Sequence, residues 1–228
     1  MNLPTDEDAS FIREQLLNGC DRMENLLRGL LDTKGRIAEE VHATRKLGKT
    51  LRGGFSLFGL RKNSSREIQA IGRLLSGPRD AVSRLNTWNK VAWNDDASAS
   101  AAIGTLLEQL THSAARRPPP ETIDWCLERV ATARRNLVGL PQECLAERIV
   151  TGLAKLERRV MKRCNHLDYS GHEDFHDARK ALKAYLGALE FLPDGMVTLD
   201  PMLAELPEQL GDENDLATLS NWLMEHGF

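Results

Sequence analysis

The sequence contains the pattern His-x-x-Arg-Lys-x-x-Lys twice, once starting at His42 and once starting at His176. An α-helix turns about 100° per residue, so the four named positions fall within one narrow arc. Each copy therefore places a histidine and three cations on one helical face, and we interpret these two basic strips as one anion-binding site. The first strip consists of His42, Arg45, Lys46 and Lys49, extended one turn by Arg52, and the second of His176, Arg179, Lys180 and Lys183.

Other features recur at the same or nearly the same spacing as the two motifs, which predicts an internal duplication of a helical unit. Gly77 with Gly211 and Trp88 with Trp222 keep that spacing, and Asp80 with Asp215 exceed it by a single position. We expect the two tryptophans to be core anchors rather than stacking platforms. We expect the two aspartates to cap helices or to orient basic side chains, without a catalytic role.

Apolar residues recur at helical spacing along almost the whole chain, and no run alternates apolar and polar residues as a strand would. The segment 116–120, Arg-Arg-Pro-Pro-Pro, cannot continue a helix because proline lacks an N–H donor and fixes φ. We predict an all-α fold of two pseudo-symmetric antiparallel helical bundles within a single domain, 1–228. The N-terminal half covers about 8–113 and the C-terminal half about 121–228, with the Pro-rich join at 116–120.

Glycines and prolines also predict individual helix boundaries. A break is expected at 76–78, before a helix that starts at Arg79. Pro141 is expected to begin a long helix, and the stretch 210–215 to open the last one.

The net charge of −3 argues against a general nucleic-acid binder, but the charges are segregated. Residues 34–90 contain thirteen Lys or Arg against four Asp or Glu, whereas residues 190–228 contain nine acidic residues and no Lys or Arg. This distribution favours a local anion site.

The four cysteines are far apart and lack zinc-site spacing, which is typical of reduced thiols. No export signal or bilayer-spanning stretch is found, so we expect a cytoplasmic protein without a membrane partner.

The repeated motifs resemble the CHAD family, the conserved histidine α-helical domain. The strongest matches are VHATRKLGKTLR at 41–52, SGPRD at 76–80, FHDARKALK at 175–183 with Glu190 behind it, and LGDENDL at 210–216. The resemblance implies two helical bundles related by a pseudo-twofold axis and a basic central channel that binds inorganic polyphosphate. It further implies that both basic strips line this channel, with Lys46 a less certain member and Arg79 a secondary candidate. This chain has Leu186-Gly187 where the family often has Arg-Tyr, so the second strip is shorter than usual.

These observations predict a non-enzymatic polyphosphate-binding protein that has no cofactor and no metal-ligating residues and is recruited to polyphosphate granules. One alternative is another phosphate-rich partner, RNA or a nucleotide, and a second is metal-dependent hydrolysis of polyphosphate. The segment 172–176 also fits the zinc-protease pattern His-Glu-x-x-His, but no third ligand is evident. Finally, a single basic strip can be a merely solvated helix face, with Glu39 and Glu40 close enough to neutralise it.

Overall fold

The computed structural model describes residues 3–32, 37–91, 97–114, 117–165 and 172–228. These residues form nine α-helices and two short 3-10 turns, 60–62 and 142–144, and contain no β-strand, which confirms the predicted all-α class. The helices are α1 (Asp6–Gly29), α2 (Ile37–Leu57), α3 (Ser64–Leu74), α4 (Ser76–Lys90), α5 (Ala97–Ala114), α6 (Pro120–Val138), α7 (Leu145–Cys164), α8 (His172–Leu189) and α9 (Pro201–Glu225). The described side chains exclude those of 78, 79, 97–99, 113, 114, 172, 173, 204, 208, 209, 213 and 214.

The local sequence explains where several helices begin. Thr5 and Asp8 form a capping box at the start of α1, in which each side chain accepts a hydrogen bond from the backbone N–H of the other. Pro120 is the first residue of α6, where its missing N–H breaks no helical hydrogen bond. Asp200 caps α9 by accepting a hydrogen bond from the Met202 backbone N–H at 2.9 Å.

The two helices that carry the basic strips, α2 and α8, pack closely against each other. Their contact is built on Gly53 of α2 and Gly187 of α8. A Cβ on Gly53 would lie 2.5 Å from the Ala184 carbonyl oxygen, and one on Gly187 would lie 3.0 Å from the Thr50 Cα. Only glycine permits such a close approach of two backbones. The C-terminal ends of both strips are therefore brought to one crossing point.

One apolar core extends across both halves predicted from the sequence, with buried residues from α1, α2, α3, α6, α7 and α8. The first helix after the Pro-rich join, α6, packs against α1 and α3 of the other half. An ion pair between Arg134 of α6 and Asp21 of α1 supports this arrangement. Gly152 of α7 is pressed against the backbone of Leu57 at the end of α2. The two halves therefore share a core, and their origin by duplication stays a prediction.

A smaller apolar cluster joins α4, α5 and α9. Trp88, Leu107 and Leu219 are buried in it, and Trp222 is partly buried against them. The Arg84 guanidinium lies over the ring of Trp222, within the distance of a cation–π interaction. The predicted role as a core anchor is confirmed for Trp88, whereas Trp222 is only partly buried and also stacks on the ring of His226.

Three helix starts differ from the prediction. α9 begins at Pro201, not within 210–215, and continues through Pro207, so Gly211 lies in mid-helix. The Asp200 cap fixes the earlier start, and the packing of Arg179 against Pro207 and Gly211 accounts for the continuation.

The other two differences concern α4 and α7. The predicted break at 76–78 is instead the first turn of α4, which follows α3 directly. Proline is tolerated there because an N–H in the first turn has no intrahelical acceptor. Residues 142–144 form a 3-10 turn after Pro141, so α7 begins at Leu145.

The four cysteines are free thiols, as the sequence predicts. Burial raises the pKa of Cys20 to about 12 and that of Cys126 to about 11.

Among the described helices, none combines the length and apolar character needed to cross a bilayer.

Candidate anion-binding site

A pocket of about 210 Å³ lies between α2, α3 and the start of α4, on the side of α2 that carries most of the first basic strip. Four cations line it, Arg45, Lys49 and Arg52 from α2 and Arg73 from α3, and no acidic side chain is among its described lining residues. We call this site the cationic pocket. Its remaining lining residues are the buried Met23, Ile68 and Ile71, together with Thr44, Gly48, Gln69, Gly72 and Ser76.

Arg45 is held at the wall of the cationic pocket by two contacts. Its Nη1 donates a hydrogen bond to the carbonyl oxygen of Gly72 at 2.8 Å, and its Nη2 lies 3.7 Å from the Asp80 carboxylate. The Arg45 side chain is 19% exposed and that of Asp80 is 47% exposed. The ion pair agrees with the predicted orienting role of Asp80. It also places a carboxylate where it competes with an incoming anion.

Arg52 is a half-buried cation of the pocket whose charge is not balanced by an ion pair among the described residues. Its Nε is buried without a hydrogen-bond partner, and no ion pair to Arg52 is found among the described residues. Burial, followed by the nearby charges of Arg159, Arg73 and Arg61, lowers the pKa of its guanidinium. Arginine keeps its proton in proteins, so Arg52 stays charged. The lowered pKa means that this positive charge is energetically unfavourable in its surroundings.

Two further features of the cationic pocket were not predicted from the sequence. Arg73 contributes its fourth cation, and Ser76, the first residue of α4, lines it as well. The N-terminus of α4 has no side-chain cap. Helix N-termini attract anions because their N–H groups and the helix dipole favour negative charge. The α4 terminus therefore reinforces the attraction exerted by the four side chains.

The cations continue beyond the pocket into an arginine cluster contributed by four elements. Burial and the charges of Arg61 and Arg163 lower the pKa of Arg159, which Asp177 partly opposes. This cluster was not predicted from the sequence, although Arg61 and Arg73 belong to the cation-rich stretch 34–90. The cluster consists of Arg52 on α2, Arg61 on the 60–62 turn, Arg73 on α3, and Arg159 and Arg163 on α7.

The second basic strip is engaged with neighbouring protein groups. The Arg179 Nε donates a hydrogen bond to the carbonyl oxygen of Pro207 at 3.4 Å, and its guanidinium packs against Gly211. Lys180 lies 3.6 Å from the Asp177 carboxylate. His176 and Lys183 are half-buried on the same helix, whereas His42, at the far end of the first strip, is exposed.

Lys46 lies on a different side of α2 from the cationic pocket. It lines a separate groove of about 740 Å³ between α1 and α2, near Glu40 and Glu190. Helical geometry explains this, because Lys46 and Arg52 are separated by six residues and so by about 120° around the helix axis. The pocket uses only one edge of the first strip, and Lys46 faces the opposite edge.

The side chain of Arg79, a predicted site residue, lies outside those described, and so do the side chains of His172 and Glu173 of the zinc-protease pattern. Among the described residues, no group of three or more His, Cys, Asp or Glu side chains is arranged to hold a metal ion.

The fold and the pocket thus define an all-α protein with a cationic site between its helices. The family model for the CHAD domain matches residues 15–224, and the chain belongs to this family. No curated protein and no solved structure matches the chain.

Proposed function

We propose that the protein binds inorganic polyphosphate without hydrolysing it, and that this binding recruits it to polyphosphate granules. The observation that carries the proposal is the cationic pocket, in which four cations and an uncapped helix N-terminus meet without an acidic lining residue among those described. Membership of the CHAD family supports the same ligand.

The chemistry of the pocket suits a ligand that carries regularly spaced charges. Arg45, Arg52 and Arg73 can each grip phosphate oxygens through a planar fork, and Lys49 supplies a more flexible point charge. A well-formed contact of this kind contributes about 1.5–3 kcal/mol. Binding should therefore be tight, and it should weaken steeply with salt through counterion release.

The first experiment compares binding of long-chain polyphosphate to the wild type and to the double variant Lys49→Gln with Arg73→Gln. Loss of two charge-assisted contacts should weaken binding by roughly 100-fold. The matched control is Arg28→Gln with Lys155→Gln, which removes the same charge at exposed positions outside the pocket. An equal loss in both variants would mean that net charge, not the pocket, governs binding. No wild-type binding at low salt would end the proposal.

RNA or a nucleotide is the second candidate, and the pocket lining favours it less. Proteins commonly hold unpaired bases by stacking them on aromatic side chains. The described lining residues include no aromatic side chain. Single-stranded RNA should therefore fail to displace polyphosphate at matched charge. Displacement at equal concentration of charge would support the nucleic-acid alternative.

Hydrolysis of polyphosphate is tested separately by measuring phosphate release with Mg²⁺, Mn²⁺ or Zn²⁺ added. Two-metal phosphoryl chemistry needs carboxylates that hold the ions, and the described lining of the cationic pocket provides none. We expect release no faster than without protein. Metal-dependent release that the Lys49→Gln variant abolishes would show an enzyme.

A further inference from the structure

We propose that polyphosphate leaves the cationic pocket over Arg52 and continues along Arg159 and Arg61, across α7 and the 60–62 turn, instead of following the second basic strip. This inference rests on the proposed function, because it specifies the path of the same ligand.

The path begins at Arg52, which joins the pocket to the arginine cluster. Arg52 lines the pocket, and its buried Nε has no partner among the described protein groups. Leaving a buried charged donor unpaired is costly, so an anion that reaches it gains more than at an exposed lysine. Its backbone is fixed, because its carbonyl oxygen accepts hydrogen bonds from Ser56 at 2.8 Å and Ser65 at 3.0 Å. The backbone position from which the Arg52 side chain extends is therefore fixed beside the pocket.

The packing of α7 then determines which cation comes next. Gly152 of α7 contacts the backbone of Leu57 at the end of α2. Arg159 follows Gly152 by seven residues, so both lie on the same face of α7. That face runs beside α2, and the charge of Arg159 acts directly on Arg52. The charge of Arg61 acts on both Arg52 and Arg159, so the three guanidinium groups belong to one positively charged region.

The second basic strip offers a poorer continuation. Arg179 donates to the Pro207 carbonyl oxygen and packs on α9, so its guanidinium already fills a structural role. Asp177 lies 3.1 Å from Arg163 and 3.6 Å from Lys180, which places a carboxylate at the junction of α7 and α8. An anionic chain that turned from Arg159 toward Lys180 would have to pass this negative charge.

The test compares the double variant Arg159→Gln with Arg61→Gln and the charge-matched double variant Lys180→Gln with Lys183→Gln. The probes are long-chain polyphosphate and tripolyphosphate, which is short enough to occupy the cationic pocket alone. We expect the first variant to bind the long chain roughly 100-fold more weakly, since two charge-assisted contacts are lost. Its affinity for tripolyphosphate should change by less than about 3-fold. The salt dependence of log K should become shallower by about 1.5, near 0.7–0.9 for each lost contact.

The second variant serves as the control for the alternative path, and we expect both of its affinities to stay within about 3-fold of the wild type. A larger long-chain loss in the Lys180 and Lys183 variant than in the Arg159 and Arg61 variant would overturn the proposed path while leaving polyphosphate binding in place. Equal losses would overturn it too, because they would indicate a diffuse charge effect. If the wild type binds neither probe, the proposed function itself fails and the path fails with it. Unfolding curves for both variants separate these results from loss of the fold.

Discussion

Gly53 and Gly187 lie at the crossing of α2 and α8, where each is pressed against the backbone of the other helix. They occupy corresponding positions of the sequence repeat, with the same spacing as His42 and His176. The crossing fixes how the two basic helices are oriented, because neither backbone can shift without a clash. It also explains why this chain has glycine at 187, next to the position where the second strip ends early.

Gly53→Ala should destabilise the protein by about 1–3 kcal/mol, the usual cost of overpacking. The new Cβ would lie 2.5 Å from backbone atoms of Ala184 and Ala188, which cannot move aside as a flexible side chain can. Urea unfolding measures the effect. Gly72→Ala is the control, because its Cβ would meet open space and alanine favours a helix by up to about 1 kcal/mol over glycine. Equal stability of the two variants would contradict the close crossing.

Arg52→Gln should weaken polyphosphate binding without lowering the stability of the fold. Removing a half-buried charge that faces Arg159, Arg73 and Arg61 relieves repulsion, so the melting temperature should stay the same or rise. Polyphosphate affinity should fall about 10-fold for the lost contact. Thermal unfolding without ligand and a binding titration give the two values. A variant that loses both stability and affinity would show that Arg52 supports the fold rather than the ligand.

Asp80→Asn should tighten polyphosphate binding by about 2- to 5-fold, as expected for removing a partly exposed ion pair. The Asp80 carboxylate lies 3.7 Å from Arg45 and competes with phosphate for it. The gain should shrink at high salt, which screens such pairs. Asp124→Asn, at an exposed position on α6, is the control and should have no effect. Weaker binding in Asp80→Asn would mean that the carboxylate positions Arg45 for the ligand.

Stability should fall as the pH rises from about 9 toward 12. The ordinary pKa of a cysteine thiol is 9.0, and burial raises that of Cys20 to about 12 and that of Cys126 to about 11. Above pH 9 the unfolded chain therefore releases protons that the folded chain retains, so the free energy of unfolding decreases with pH. Urea unfolding under reducing conditions at several pH values measures this decrease. In Cys20→Ala the free energy of unfolding should decrease less with pH, although the cavity left by the thiol lowers stability at every pH. An unchanged pH dependence would refute the assignment to Cys20.

The helices were largely predictable from the sequence because their apolar faces repeat at helical spacing. The start of α9 was not predictable, since Gly211 and Asp212 are residues that typically precede or begin a helix. Tertiary packing against Arg179 overrode that local signal. The prediction of two bundles within one domain rested on the repeat, with the Pro-rich segment as the join between the halves. Proline ends a helix without interrupting a core, and one core includes buried residues from both halves.

The candidate site was predictable only where its residues share one helix. The spacing of Arg45, Lys49 and Arg52 placed them on one face, and the structure brings all three into the cationic pocket. Arg73 and Arg159 come from other helices, where nothing in their spacing distinguishes them from solvent-exposed charges. Helix packing alone brings them to Arg52, and no pattern within one segment contains that information.

The core that spans both halves has a consequence for how such a chain can be divided. Cutting it in the Pro-rich join would leave α1, α2 and α3 on one fragment and their packing partners α6, α7 and α8 on the other. Neither fragment would have a complete interior, so we expect the two to fold by reassociating rather than independently. A half-length precursor, if the repeat arose by duplication, would for the same reason have needed a second copy of itself as its partner.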